Sequence, residues 1–494
     1  MVRMRWQAGF ALAVAIAALP ARAAPPADPE AALAAARTAG DQAALATALM
    51  KAADARLVGA PAGAESAALE AVAIRDRLFG RASYESAIAR TMLAVTRALG
   101  GDRAGQIEPM GDAARAAAAA ARLPAEREEA AVALLTAAQF ADSGGRREAA
   151  QAARRRGLDL LARADTASGS NAAQAYDIAA DLAMRWGRFD DSLTMSTRAI
   201  TIWQGVAVGD AELSRSLGNA AQALMRLGRH ADAEPLLRRA LEVADEAKPA
   251  GVHLQVLALQ KLAAFYRETA RPELADALLQ RALGIAEAMP RGFRYALAID
   301  TDLATLALER GRPAAARPYA ARAAELAEVV LGTDSGERGA LLLLLAEIDL
   351  QLGDPTRAEI STQLAGEAFA RALTSDDPRH GDLLAARARI MAARGDPRGA
   401  AKAFALAIAA MQERPASHPA LLAARRDIAR QLLKAGDATQ GWPQARAAAD
   451  MLTRRLIDQA RLIDQAAPLD DAARATYAVS VDLAWARARG SRGQ

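Results

Sequence analysis

Helix-forming stretches along this chain are broken by a turn every 41 to 44 residues. The turn residues are Gly59, Gly101, Gly145, Gly187, Gly228, Ala270, Gly311, Gly353, Gly395 and Gly436. Nine of the ten are glycine, which enters the left-handed conformation at a helix C-terminus without steric penalty. Other columns keep the same period. Seven residues before the turns stand Ala52, Ala94, Ala138, Ala180, Ala221, Ala263, Ala304, Ala346, Ala388 and Ala429. Twelve after them stand Ala71, Ala113, Gly157, Ala199, Ala240, Ala282, Ala323, Ala365, Ala407 and Ala448. Five after them, Ala64, Ala150, Ser192, Ala233, Ala275, Ala316, Ala358, Ala400 and Gly441 are small, and Gln106 is the exception.

Two helices joined by a tight turn approach closely only where neither carries bulk. The pattern therefore predicts a helix before each turn, a helix after it, and a seam of small residues between them. Larger residues fill the remaining interface, such as Leu224, Leu236, Leu237 and Leu241 in one unit and Leu262, Leu274, Leu278 and Leu283 in the next. Each pair buries one face on its neighbour, so stability grows by stacking. Pro29 to Ala39 reads as a half-repeat that caps the start. After Ala449 the period stops, and Met451 to Gln465 and Asp470 to Arg487 read as two closing helices.

One unit runs Ser216-Leu-Gly-Asn-Ala-Ala-Gln-Ala-Leu-Met-Arg-Leu-Gly228-Arg-His-Ala-Asp-Ala233-Glu-Pro-Leu-Leu-Arg-Arg-Ala240-Leu. It resembles a tetratricopeptide repeat, with the small–Gly–Ala–Ala pattern in place. The period is longer than the usual length of about 34 and resembles the kinesin-light-chain-like variety. The run Ala71-Val-Ala-Ile-Arg-Asp-Arg-Leu-Phe-Gly80 looks like the helix end and loop of that variety. This resemblance implies an all-α fold, a right-handed superhelical solenoid of about ten helix-turn-helix repeats with capping helices. The expected division of the chain is a signal peptide (1–23), read from its own residues below, an N-terminal capping segment (24–41), the repeat array (42–460), and a C-terminal capping helix and tail (461–494). Such arrays are also similar to the stalks that precede caspase-like CHAT domains in some bacterial proteins. With no cysteine in the sequence, the protease activity does not carry over.

Composition supports the helical reading. Alanine fills 137 positions and aromatics only 4%; alanine favours helices and is depleted in strands. The first residues read differently. Arg3 and Arg5 precede an apolar run from Ala8 to Leu19, then Pro20 and the small-residue site Ala21-Arg22-Ala23. That order is a cleavable secretory signal, cut after Ala23, and predicts a periplasmic or secreted protein. The apolar run is shorter than the roughly 20 residues that span a bilayer, so no stable membrane insertion is expected. Removing Arg3, Arg5 and Arg22 from the 62 basic residues leaves 59 against 58 acidic ones. A nearly neutral chain makes a poor nucleic-acid binder. With no cysteine, there are no disulfides, no thiol catalysis and no Cys-ligated zinc.

No catalytic constellation stands out. His230, His253, His380 and His418 lie in different repeats, and no two have the i, i+4 spacing of a helical metal site. Gly100 to Gly105 carries no Gly-Lys-Ser/Thr after it and follows a helix, so it reads as a repeat turn rather than a phosphate loop. No Gly-x-Ser-x-Gly elbow is present. The expectation is a non-enzyme with no cofactor and no metal.

The resemblance also implies where a partner would lie. In tetratricopeptide arrays the first helix of each pair lines a concave groove, through positions two, three, six and ten before the turn. That places Gln139, Asp142, Asp177 and Asp181 in the early groove, Gln222, Met225, Arg226, Gln260, Arg267 and Glu268 in the middle, and Arg389, Arg426, Arg430 and Lys434 at the end. The expected groove is acidic near its start and basic near its end. Arg426, Arg430 and Lys434 share one helical stripe that could clamp a carboxylate or an acidic segment. The function expected is an exported scaffold that holds a protein or peptide partner. The alternative is a structural or self-associating stalk of the cell envelope, with Leu483 and Trp485 on an end helix as its contacts.

Overall fold

The computed structural model describes residues 29–57, 61–100, 102–163, 169–206, 210–247, 252–289, 292–375, 377–412, 414, 418–463 and 471–490. All regular structure among them is helical. The helices up to the middle of the chain are α1 (Pro29–Ala39), α2 (Gln42–Arg56), α3 (Pro61–Phe79), α4 (Tyr84–Leu99), α5 (Arg103–Ala120), α6 (Pro124–Ser143), α7 (Arg147–Ala162), α8 (Ser170–Arg185), α9 (Phe189–Gly205), α10 (Asp210–Arg226), α11 (His230–Glu246) and α12 (Val252–Glu268). They continue as α13 (Pro272–Ala288), α14 (Phe293–Glu309), α15 (Pro313–Leu331), α16 (Gly336–Gln351), α17 (Pro355–Ala372), α18 (Arg379–Ala393), α19 (Pro397–Ala410), α20 (Pro419–Lys434), α21 (Ala438–Ile463) and α22 (Asp471–Gly490). Two compact units divide the chain, one ending at Lys261 and the other beginning at Leu262. Within each, consecutive helices pack in pairs, and each pair packs on the next. Each unit is thus an all-α stack of helix pairs.

The turn column is where the period becomes geometry. Gly145, Gly187, Gly228, Ala270, Gly311, Gly353, Gly395 and Gly436 all have positive φ; Gly59 and Gly101 lie outside the described residues. Each turn closes the same way. The Gly228 N–H donates to the Met225 carbonyl (3.1 Å), and the next N–H, of Arg229, donates to the Leu224 carbonyl (2.9 Å). The pair of bonds satisfies carbonyls that a helix end leaves without partners. Among the described residues Ala270 is the one non-glycine with positive φ, at 58°. Its turn makes the same bonds, at 3.3 and 2.7 Å, and the Arg271 guanidinium lies over the Tyr266 ring, 4.5 Å from its centroid.

The small columns meet across the seam. All ten alanines seven before the turn are buried. At one crossing the contact is direct, with the Ser192 hydroxyl donating to the Ala180 carbonyl (3.0 Å). A Cβ added to Gly157 would come within 2.9 Å of Leu135, and one on Gly441 within 2.8 Å of Leu483. The exceptional Gln106 is only half-buried; its amide turns back to the Asp102 carboxylate at the helix start (2.7 Å).

The chain's end differs from the sequence reading. Met451 is not the start of a separate closing helix: α21 runs unbroken to Ile463, because no glycine or proline interrupts Gln444 to Ile463. α22 does close the array. Its buried Leu483 and Val479 cluster with Ala429 and Ala445 of the last pair. At the other end α1 spans the residues of the predicted short helix, while the signal segment and its cleavage site lie outside the described residues. Among the described residues no helix is long and apolar enough to cross a membrane.

Glycine at position 270 removes the Cβ penalty of the left-handed conformation while adding some unfolded-state entropy. Ala270→Gly should stabilise the fold by a net of about 0.5–1 kcal/mol, measured as a rise in the thermal midpoint. A lowered midpoint would show that the Ala270 backbone carries no strain.

Candidate functional site

The first helices α6, α8, α10, α12, α18 and α20 carry the predicted groove residues, and the structure sorts them by depth. Those ten before the turn are buried: Asp177 (1% exposed), Gln260 (4%) and Arg426 (8%). Those six before it, Gln139, Asp181, Gln222, Arg389 and Arg430, are half-buried, as are Asp142, Met225, Arg226 and Arg267. Glu268 and Lys434 are exposed. Helix rotation accounts for positions ten, six and two: at about 100° per residue they lie about 60°, 100° and 140° from the buried alanine at seven. Position three lies about 40° away, but it sits in the last turn of its helix and is only half-buried at Asp142, Met225 and Arg267. Asp177, Gln260 and Arg426 therefore belong to the interior, which corrects their placement on the groove surface.

In the unit ending at Lys261 the predicted acids are consumed by internal partners. The Trp186 indole donates to Asp142 (2.6 Å), and Arg185 lies 3.9 Å from it. Asp177 accepts from the Trp203 indole (3.1 Å) and the Ser216 hydroxyl (2.7 Å), with Arg215 at 3.5 Å. Arg215 also sits 2.8 Å from the buried Glu212. Asp181 accepts from Asn219 (3.1 Å), whose amide oxygen accepts from Lys261 (2.6 Å). The Lys261 stem lies against Gly218, where a Cβ would come within 2.8 Å of it. Sequence reasoning missed Trp203, Arg215, Ser216, Asn219 and Lys261. The available signal was register: Arg215 and Asn219 stand 38 residues after Asp177 and Asp181.

Burial sets the electrostatics of this network. It pushes the Asp177 carboxyl up to about 6, against the pull of Arg215, Ser216 and Trp203. It pushes the Lys261 ammonium down to about 8, with Asp181 pulling the other way. Burial and the nearby Arg215 charge also lower His253.

In the unit beginning at Leu262 the arrangement is different. Asp427 accepts from Arg426 through Nε (3.0 Å) and Nη2 (2.9 Å), and from Arg389 Nε (3.2 Å); Arg430 lies 3.9 Å away. Arg389 also reaches Glu347, at 3.5 Å. Burial alone would raise the Asp427 carboxyl, but Arg426, Arg389 and Arg430 outweigh it and hold the group below its ordinary value. Arg267 is shared between Asp302 (3.8 Å) and Glu309 (4.0 Å). The expected three-cation stripe is thus reduced to two: Arg426 is spent on Asp427, and only Arg430 and Lys434 reach solvent.

Among the described residues no three histidine, aspartate or glutamate side chains gather as metal ligands. The His418 ring caps α20, accepting from the Ala420 N–H at 3.2 Å.

Comparison with known proteins agrees with this architecture. The family model for the tetratricopeptide repeat matches residues 171–246, 212–288 and 295–365. A search of curated protein sequences gave no match. Among solved structures, the apo quorum sensor NprR from B. thuringiensis superimposes with a TM-score of 0.52 at 12% identity, covering 74% of this chain and 98% of that one. BtubC from P. vanneervenii matches at 0.41 and 20% identity, over 46% of this chain and 93% of that one. At 12% identity the NprR likeness speaks to fold alone.

Two expectations follow from the networks. Asp177 has a folded-state pKa above its unfolded one, so its contribution to stability is full below pH ~4 and is lost as pH rises through about 6. The loss amounts to roughly 3 kcal/mol. Asp177→Asn should therefore gain on wild type in thermal midpoint between pH 4 and pH 7; a pH-independent difference would contradict the shift. Separately, Arg426→Ala removes the strongest of the three positive charges facing the buried Asp427 and leaves Arg389 as its hydrogen-bonded partner, and should cost up to about 3 kcal/mol. Lys434→Ala should change stability by no more than about 0.5 kcal/mol. Equal losses in urea unfolding would refute the division between interior and surface cations.

Proposed function

We propose that this chain, which carries tetratricopeptide repeats between residues 171 and 365, is a non-catalytic scaffold that holds a protein or peptide partner along its first helices. One observation carries the reading. Position six before the turn is buried in the first two repeats, as Ala53 and Val95, and half-buried in the eight whose turn residue is described, where it takes six residue types: Gln139, Asp181, Gln222, Ala264, Thr305, Glu347, Arg389 and Arg430. The seam alanines beside it never change. A constant interior with a varied, partly exposed row is what selective recognition by a repeat array requires. The basic start, short apolar run and Ala21-Arg22-Ala23 support export to the periplasm or medium.

A stalk is the second reading; Leu483, expected as one of its contacts, is buried, but Val481 and Trp485 are 55% and 62% exposed one turn apart on α22 and favour it. Site-specific photo-crosslinking separates the two. A crosslinking residue at Gln222 or Arg430 should trap a partner in cells, while one at Leu406, exposed on the second helix α19, should not. Adducts only between copies of the chain, formed from position 485, would overturn the scaffold reading in favour of the stalk.

A further inference from the structure

We infer that two copies of the chain pair through α22, antiparallel about a two-fold axis beside Trp485, into a closed dimer. The contact lies outside the row of first helices and does not depend on the scaffold reading. Its basis is the outer face of α22. Leu483 and Val479 turn inward onto the last helix pair. Trp485 lies about 160° round the helix from Leu483, and Val481, Asp482, Trp485 and Arg489 are all exposed along its side. Asp482, Trp485, Ala486 and Arg489 line a hollow of about 360 Å³. Neither Asp482 nor Arg489 forms an ion pair among the described residues. Seven residues set them about 10.5 Å apart along the axis, too far to neutralise each other within one chain.

The order of these residues is self-complementary. Asp482 and Arg489 stand equally far before and after the midpoint between Trp485 and Ala486. A second copy turned end for end about that midpoint brings the partner's Arg489 opposite Asp482, and the partner's Asp482 opposite Arg489. The partner's Trp485 then falls opposite Ala486, whose methyl leaves the hollow open to the indole. One surface thus supplies two ion pairs and two covered indoles, as a contact between identical patches requires. A parallel pairing would instead set like charges against each other. Because the antiparallel contact closes on itself, association stops at two copies and builds no stalk. One pair of helices lies at the small end of specific interfaces, below about 1,200 Å², so the dimer should dissociate on dilution.

Sedimentation velocity of the full chain, from about 1 to 100 μM, compares wild type with Trp485→Ala, Asp482→Arg, Arg489→Asp and the double swap Asp482→Arg/Arg489→Asp. Wild type should pass from monomer to dimer and go no further. Trp485→Ala should raise the dimer dissociation constant at least about tenfold, equivalent to ~1.4 kcal/mol. Its helical signal should not change, since an exposed side chain carries little of the fold. Asp482→Arg and Arg489→Asp each place like charges across the axis and should weaken the dimer at least as much. An equal mixture of these two variants should dimerise again, and so should the double swap, because opposite charges then face each other. A wild type that stays monomeric throughout would overturn the inference, as would a dimer that none of the variants alters. Oligomers that keep growing with concentration would overturn it in favour of the stalk. A monomer that binds phosphatidylglycerol vesicles through Trp485 would overturn it in favour of a membrane surface. The crosslink at Gln222 tests the scaffold reading independently of all these outcomes.

Discussion

Two helices can lie against each other at close range only if neither places bulk at the crossing. That steric condition fixes most of this structure. An alanine seven before the turn meets a small residue five after it, and the hydroxyl of Ser192 bonding the Ala180 carbonyl shows how near the two helices come. Helices held so closely need a short connection, and a short connection needs a left-handed residue. Hence the glycine column and the recurring pair of hydrogen bonds at every described turn. Ala270 shows that the constraint belongs to the backbone rather than to glycine, since the same bonds form there at the expense of strain.

Once the pairs are locked, the first helices of neighbouring repeats are held at a fixed offset, and side chains meet in register. Asp181 reaches Asn219, and Arg389 reaches Asp427, each across 38 residues. Both contacts join position six before one turn to position nine before the next. The polar row is therefore a consequence of the seam: the same spacing that aligns alanines inside also aligns polar groups beside them.

The unequal legibility of the sequence follows from that order of causes. Turns and seam were readable because each depends on one local requirement, a permissive φ or a missing side chain, imposed identically at every repeat. α21 was misjudged because the end of a repeat period is not the end of a helix; nothing in Met451 to Ile463 breaks one. The site residues were harder. A rule for which positions face inward gives direction but not depth, so Asp177 and Arg426 were placed on a surface when they lie beneath it. Depth depends on the angle from the seam, which the alanine column itself defines. Trp203 and Ser216 stayed hidden because their roles exist only across neighbouring helices.

Asp177 and Asp427 occupy comparable buried positions and shift in opposite directions, and the number of arginines decides which way. Asp177 has one arginine at 3.5 Å plus two neutral donors, too little to offset its burial. Asp427 has three arginines, which outweigh its burial and hold the carboxyl below its ordinary value. A buried ion pair seldom adds much net stability, because desolvation consumes most of the attraction. The two clusters therefore differ less in strength than in what they leave over. Around Asp177, Asp181 and Glu212, the positive groups Arg215 and Lys261 are met by at least as many acids, and the charges cancel before solvent is reached. Around Asp427 they do not cancel, and Arg430 and Lys434 carry the surplus outward to solvent.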